Sequence, residues 1–589
     1  MGAIFLFRKG AKPDMSSVRA VFQNKGFSAP AEFIFGAWTL LQYGKILPFQ
    51  INHTEEGDET SLHACGTLIY KGLGYQDSLQ QLLTDFRKGQ LDQEQLLGSF
   101  CLLFWDGRVI SVLMDRSRTL HVFSDETKTC ISSSFLAVLA ASPKPLPLNR
   151  LAVCEKLATG YVVSPDTLID GILQIDADVS ATYQAERDGI CFLPVLARPP
   201  VELHNKGLGD SIARQVFHLQ RHFHAVNALH VESRGELGLS SGYDSRLVLA
   251  CSQFLSCTMD LHTHATQGIH DAEAGIVQQI TAARGLALKQ VSTKRIEDNS
   301  EDEISALLED GLYFYDGRCS HNMGAFSETY TRAYKTLTMG EHRLGWNGLG
   351  GEMYRNYYFT ANRSVNLRHW LDRHVYYPFA TEAWGCTEEY EAMHLRKAEK
   401  IARRLSAPTS GRVSFQWLRR YYSEVRMPDC DANNNDALNQ LAFFHTPFMD
   451  ASLVAEAINA TPFIGCNGTY QARLIREISP DLARFQTHYG YTLDHIPLRS
   501  RLQAWVKCRV PEFIQLQRLR AILKNAEHQG VPEFLAFVQR VPALCEIREV
   551  LCTSVLRGRF EDAMIHYAQR PTALFVGSFL REFQHKIRW

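Results

Sequence analysis

The sequence predicts an α/β protein in two parts: an N-terminal half of alternating apolar strands, then a parallel-sheet domain with a largely helical C-terminal part. Three observations lead there. Near the middle, Leu237-Gly238-Leu239-Ser240-Ser241-Gly242-Tyr243-Asp244-Ser245 runs from an apolar strand into small residues, and Leu247-Val248-Leu249-Ala250 follows; the segment reads strand, tight loop, helix. Before it, apolar runs at 65–70 and 97–106 are bounded by Gly and Asp, the pattern of antiparallel strands. Between the two, Phe192-Leu193-Pro194-Val195-Leu196-Ala197-Arg198-Pro199-Pro200 continues neither a helix nor a central strand. The halves are therefore set at residues 1–195 and 205–589.

The central loop carries the chemistry. A glycine- and serine-rich turn that opens a helix aims backbone N–H groups and the positive end of the helix at one spot, which suits a phosphate chain. Asp244 is then placed to hold the Mg²⁺ that phosphates bring. The plain alternative is an ordinary helix N-cap made by Ser240 or Ser241.

Further segments decide between these readings. Leu261-His262-Thr263-His264-Ala265-Thr266 reads as a second strand, with Asp271 and Glu273 opening a helix that Gly285 closes. Later come Gly345-Trp346-Asn347-Gly348-Leu349-Gly350-Gly351-Glu352-Met353, His445-Thr446-Pro447-Phe448-Met449-Asp450 and Gln471-Ala472-Arg473-Leu474-Ile475-Arg476. In this order they resemble the asparagine synthetase family: its S-G-G-x-D-S pyrophosphate loop with Ser241 for the middle Gly, its adenine-side strand and helix, its G-E-G-S-D-E segment, its R-V-P-F-L-D and its K-x-x-L-R helix. The resemblance spans residues 1–190 and 205–500 and leaves about the last ninety unmatched.

The N-terminal half follows the pattern of the class II glutamine amidotransferase domain, an αββα sandwich, through residues 65–70, 97–106, Met114-Asp115-Arg116 and Ser132-Ser133-Ser134-Phe135-Leu136. Its nucleophile is a Cys at the mature N-terminus, whose α-amino group serves as base. Here Gly2 stands in that place, and no thiol precedes Cys65. The family's Arg-Gly-Pro and Asn-Gly-Glu segments are also missing. Glutamine hydrolysis is not expected, and the domain reads as a retained scaffold.

Composition sets limits. The 589 residues, 45% hydrophobic, suffice for two or three domains with substantial cores. A net charge of −1 argues against a nucleic-acid partner. No apolar run reaches the roughly 20 residues of a membrane span, and no secretory leader is read at the N-terminus. The 14 Cys lack paired short spacings, so free thiols in a reducing cytosol, and a cytoplasmic location, are expected. His218, His222 and His224 lie on a helix read over 208–229; a solvated or nucleotide-neighbouring face is the simpler reading beside a metal site. From 365 to 585 the pattern is helical, broken at Pro408, Pro428, Pro447, Pro462, Pro480, Pro532 and Pro571.

The resemblance implies an ATP-dependent, AMP-forming carbon–nitrogen ligase that adenylates a carboxylate, releases pyrophosphate and captures the acyl group with an amine. ATP would be held by Leu239, Ser240, Ser241, Gly242, Tyr243, Asp244, Ser245, Thr266, Gly348 and Gly350, and Mg²⁺ by Asp244 and Glu352. Asp244→Ala is then expected to lose ATP binding with the thermal midpoint nearly unchanged. Arg473 and Arg476 are candidate phosphate or carboxylate clamps, with surface ion pairs as the alternative. Two departures touch the capture step: Leu349 stands where the family has Glu or Tyr, and His488, in Gln486-Thr487-His488-Tyr489-Gly490, stands nearest to its Lys. Glu352 and His488 are the candidate catalytic residues. Relatives without the N-terminal Cys include β-lactam synthetases and lasso-peptide cyclases, which implies a small-molecule or peptide carboxylate with its amine acceptor, natural-product or peptide modification, and a homodimer among the allowed assemblies. The alternatives are a degenerate nucleotide-binding homologue with a regulatory or scaffold role, or ammonia-dependent asparagine formation or sugar-acid amidation.

Overall fold

The computed structural model describes residues 2–47, 55–57, 60–176, 189–196, 202–204, 207–229, 234–256, 258–266, 272–294, 298–319, 328–564 and 569–589, leaving aside the side chains of 55–57, 266 and 525–531. Asp271 and part of the linker read at 192–200 lie outside these residues. The fold is mixed α/β with several sheets, one of them parallel with five strands.

In the N-terminal half, six antiparallel strands run in the order Ile172–Gln174, Phe123–Asp125, Cys130–Ser132, Ala3–Arg8, Trp38–Tyr43 and Ala31–Phe35. A second sheet orders as Ile190–Phe192, Ile110–Met114, Leu96–Trp105, Thr60–Tyr70 and Glu55–Gly57, antiparallel except at its first pair. The two-residue strand period sorts the side chains. Ile4, Leu6, Trp38 and Leu40 of one sheet join Cys65, Cys101, Leu103 and Val112 of the other in one buried cluster. The alternate residues face helices: Tyr43 stacks on Phe22 of Met15–Asn24 at 4.0 Å, and Phe104 on Phe86 of Tyr75–Arg87 at 4.2 Å.

All strands of the third sheet are parallel, in the order Leu288–Thr293, Asp260–Thr266, Gly235–Gly238, Leu344–Trp346, Phe443–His445. The chain adds two strands on one side of Gly235–Gly238 and then crosses to the other side. The order therefore reverses between Gly235–Gly238 and Leu344–Trp346, and a crevice opens there at the carboxyl ends of the strands.

Two proline breaks are not breaks. Pro428 lies inside a π-helical segment, Tyr422–Asp431, and Pro532 inside the helix Glu512–Arg540. Widened turns already displace the i→i−4 bond that proline cannot make, which accounts for Pro428. The helix read over 208–229 ends earlier, as Leu208–Ala225. The C-terminal helices return to the first half: Ile587–Arg588 pairs with Leu146–Pro147, and Lys586 Nζ donates to Asp14 at 3.0 Å and to the Ala140 carbonyl at 2.9 Å. Buried ionic contacts join the halves as well. Asp316 accepts from Lys25 at 2.7 Å and from the Phe135 amide at 2.6 Å, and Glu155 accepts from Lys397 at 2.8 Å.

Candidate active site

The strand Gly235–Gly238 feeds a tightly bonded loop and then the helix Asp244–Cys251. The Ser240 amide donates to Ser245 Oγ at 3.0 Å, the two hydroxyls lie 2.9 Å apart, and the Gly242 amide donates to Ser240 Oγ at 3.2 Å. Ser241 gives its amide and its hydroxyl to Glu273 Oε1, at 2.9 and 3.0 Å. Behind the loop, the buried Arg246 guanidinium donates to the Ser241 carbonyl at 3.0 Å and to the Phe485 carbonyl at 2.9 Å. Three amides assigned to a phosphate chain from the sequence are thus engaged within the protein. The donors that remain are the first-turn amides of the helix, which have no intrahelical partner and carry the positive end of its dipole.

The loop after Leu344–Trp346 closes on that helix. A Cβ at Gly348 would lie 2.7 Å from the Asp244 carbonyl carbon and 2.9 Å from the Ser245 amide, and a Cβ at Gly351 would overlap the Asp244 carboxylate. Gly350 adopts φ +88°, a left-handed conformation suited to glycine. Only a glycine-rich segment can approach this closely. Between the two loops lies a cavity of about 350 Å³, lined by Leu239, Ser240, Asp244, Gly348, Glu352 and Lys335. Lys335 Nζ lies 5.9 Å from the ring centroids of Tyr330 and Tyr334, and desolvation lowers its ammonium to about 8 against the pull of Glu236.

Asp244 and Glu352, predicted as metal ligands, do come together, but around an arginine. Arg355 donates Nη1 to Asp244 Oδ1 at 2.7 Å, Nη2 to Asp244 Oδ2 at 2.9 Å, and Nη2 to Glu352 Oε1 at 3.2 Å. Gln471 Nε2 donates to Asp244 Oδ1 at 2.8 Å and the Tyr422 hydroxyl to Glu352 Oε2 at 2.9 Å. Burial lifts the Asp244 carboxyl to about 6, opposed by Arg355 and reinforced by Glu352, so it is ionised at neutral pH. Burial works against the Arg355 charge, yet Asp244 and Glu352 hold its guanidinium above the usual arginine range.

This donor set does not suit a resident Mg²⁺. Such an ion takes near-octahedral oxygen ligands at about 2.1 Å and keeps several waters. Here every carboxylate oxygen of the pair already accepts a hydrogen bond, and the nearest cation is covalently part of the chain. Among the described residues no group of three His, Cys, Asp or Glu comes together as a metal cluster. Asp244 and Glu352, expected to share phosphate-borne Mg²⁺, form an arginine-bridged pair in this structure.

The other predicted residues divide. Thr266 ends its strand, its backbone paired with Thr293; its side chain is not described. His488 reaches the loop from outside the cavity: Nδ1 lies 3.0 Å from Ser241 Oγ and the ring 3.8 Å from that of Tyr489. Arg473 and Arg476 are exposed on the outer face of the helix Thr469–Ile478, and the buried Gln471 makes the contact instead. His222 is interior, its Nε2 2.8 Å from that of His445, and burial lowers its pKa. Arg355, Gln471, Tyr422, Arg246 and Lys335 were missed. Only Gln471 had a signal, as a polar residue on the face that carries Leu474, Ile475 and Ile478. A larger cavity, about 850 Å³, lies between Arg116, Arg118, Trp417 and Arg420. It touches no predicted site residue.

At the N-terminus, the Gly2 amide donates to the Tyr43 carbonyl at 2.9 Å. A Cβ there would lie 2.5 Å from the Gly44 carbonyl oxygen and 2.6 Å from the Phe27 ring. Cys65, the first thiol, is buried with its pKa raised by desolvation. The protein is expected to release no glutamate from glutamine, and Gly2→Cys to create no such activity, because the added side chain meets filled space. Glutamate release by either protein above a heat-killed control would refute this.

In comparisons with protein-family models and with curated proteins, nothing matches this chain.

Proposed function

We propose that the crevice between Gly235–Gly238 and Leu344–Trp346 binds ATP and that the protein is an ATP-dependent, glutamine-independent ligase, which adenylates a carboxylate and passes it to an amine. One observation carries the reading. Two glycine-rich loops and a helix N-terminus converge on one cavity at the point where a parallel sheet reverses its order, the place where such sheets bind nucleotides.

On this reading the substrate carboxylate attacks the α-phosphate, pyrophosphate leaves, and the amine displaces AMP from the acyl-adenylate. The start of the helix Asp244–Cys251 stabilises the leaving pyrophosphate, with the paired hydroxyls of Ser240 and Ser245 as further donors. Lys335, which lines the same cavity, adds positive charge. His488, bonded to Ser241, positions the loop. The N-terminal half is then an αββα scaffold of amidotransferase type, and the cytoplasm the expected location. The acceptor class is that of the Cys-less relatives: an amine within a natural product or peptide.

A second reading is favoured by the engagement of the Ser240, Ser241 and Gly242 amides within the protein: a nucleotide-binding homologue without turnover. Product analysis separates the two. With ATP and a panel of amino-carboxylate substrates, the ligase reading expects AMP and pyrophosphate in equal amounts, dependent on the added acid. ADP and phosphate as the products would overturn it, and binding without any product would establish the second reading.

Lys335 gives a pH signature. Its charge is lost as pH rises through about 8, so affinity for an ATP analogue should fall between pH 7 and pH 9. A charge-assisted contact is worth about 1.5–3 kcal/mol, so the fall is roughly tenfold or more. Calorimetry should find Lys335→Met weak at both pH values; an unchanged slope in that variant would exclude the contact.

A further inference from the structure

Asp244 and Glu352 present the surroundings of a metal site with an arginine inside it. The guanidinium bonds both Asp244 oxygens and one Glu352 oxygen. Gln471 adds a donor to Asp244 and Tyr422 one to Glu352, so each carboxylate is held in place around the cation already present. Arg355 also donates to Gln471 Oε1 at 3.2 Å, and its guanidinium carbon lies 5.9 Å from the Tyr243 ring centroid, which ties it to the helix Thr469–Ile478 and to the phosphate-facing loop. A planar, delocalised fork matched to two carboxylates holds such a geometry without the hydration shell that a divalent ion retains.

We propose that Arg355 is a built-in cation that takes the place of a protein-held divalent ion: it draws Asp244 and Glu352 together, closes the 347–352 loop on the helix Asp244–Cys251, and excludes metal from that pair. The inference deepens the nucleotide reading, since it states how the crevice is held and that any Mg²⁺ arrives as the counterion of the phosphates. It also makes a claim about the free protein that does not depend on nucleotide. With the arginine present the three groups sum to a charge of −1; without it they sum to −2, and two carboxylates face each other unpaired. Removal of the guanidinium should therefore create a cation site, where truncation of an ordinary structural residue would create none.

Mn²⁺ alone is the probe, followed by electron paramagnetic resonance of the free ion over full-length protein without nucleotide. The wild type is expected to take up no stoichiometric Mn²⁺. Arg355→Met, which keeps the stem and removes the charge, should gain one site per chain, and that site should vanish in Arg355→Met/Asp244→Asn. Arg355→Lys, which retains a cation, should gain none, and circular dichroism should find all variants folded. Stoichiometric uptake by the wild type that Asp244→Asn abolishes would overturn the proposal. So would a folded Arg355→Met without a site. Because ATP is absent throughout, failure of the nucleotide reading leaves these outcomes unaffected, and a wild type that binds ATP but also holds Mn²⁺ at Asp244 refutes the arginine alone.

Discussion

Asp244→Ala should lower stability as well as weaken nucleotide binding, because it removes the ion pair that holds the 347–352 loop on the helix Asp244–Cys251. The carboxylate is the bidentate partner of Arg355, at 2.7 and 2.9 Å, and its loss leaves that guanidinium with Glu352 Oε1 and Gln471 Oε1, each at 3.2 Å. The pair is partly buried, its side chains 20% and 24% exposed, so losing one partner costs less than the roughly 3–5 kcal/mol of a fully buried pair, and the expected loss is about 2 kcal/mol. Urea unfolding would register it as a lower midpoint at unchanged slope. This reverses the sequence-only expectation of an unchanged midpoint, which followed from treating Asp244 as a metal ligand with no protein partner. A midpoint equal to the wild type would mean that the ion pair does not form in solution.

The second large effect is expected from one methyl group. In Gly348→Ala the new Cβ falls 2.7 Å from the Asp244 carbonyl carbon and 2.9 Å from the Ser245 amide, both backbone atoms that a side-chain rotation cannot clear. The loop must withdraw from the helix N-terminus, and overpacking of this kind costs about 1–3 kcal/mol. Since both walls of the cavity move, affinity for an ATP analogue should fall by about 100-fold, the equivalent of about 2.7 kcal/mol. A control at Gly285, where a Cβ would meet nothing within 4 Å but φ is +63°, should cost stability alone. Near-normal binding by Gly348→Ala would show that the 347–352 loop does not form a wall of the site.

The parts of this architecture visible in the sequence were those set by local periodicity. The strand-loop-helix around Ser240 and the strand ending at Thr266 follow from apolar spacing, and the glycine-rich segment around Gly348 and Gly350 is visible too, but not its approach to the helix Asp244–Cys251. What sequence reasoning missed depends on long-range contact. Asp244 and Arg355 are 111 residues apart and Asp244 and Gln471 227, and no local pattern says that an arginine three residues after Glu352 turns toward Asp244 and away from solvent. Arg473 and Arg476 drew attention by their charge, whereas helical phase puts Gln471 inside and both arginines outside. Pro428 misled because proline reports a missing amide, not whether the surrounding turns have widened to tolerate it.

Calorimetric titration with α,β-methylene ATP, which cannot release pyrophosphate, tests the central claim most directly. The account predicts saturable binding of one nucleotide per chain by the wild type, retained in Gly285→Ala and lost in Gly348→Ala. No binding by the folded wild type, or equal binding by Gly348→Ala, would contradict it.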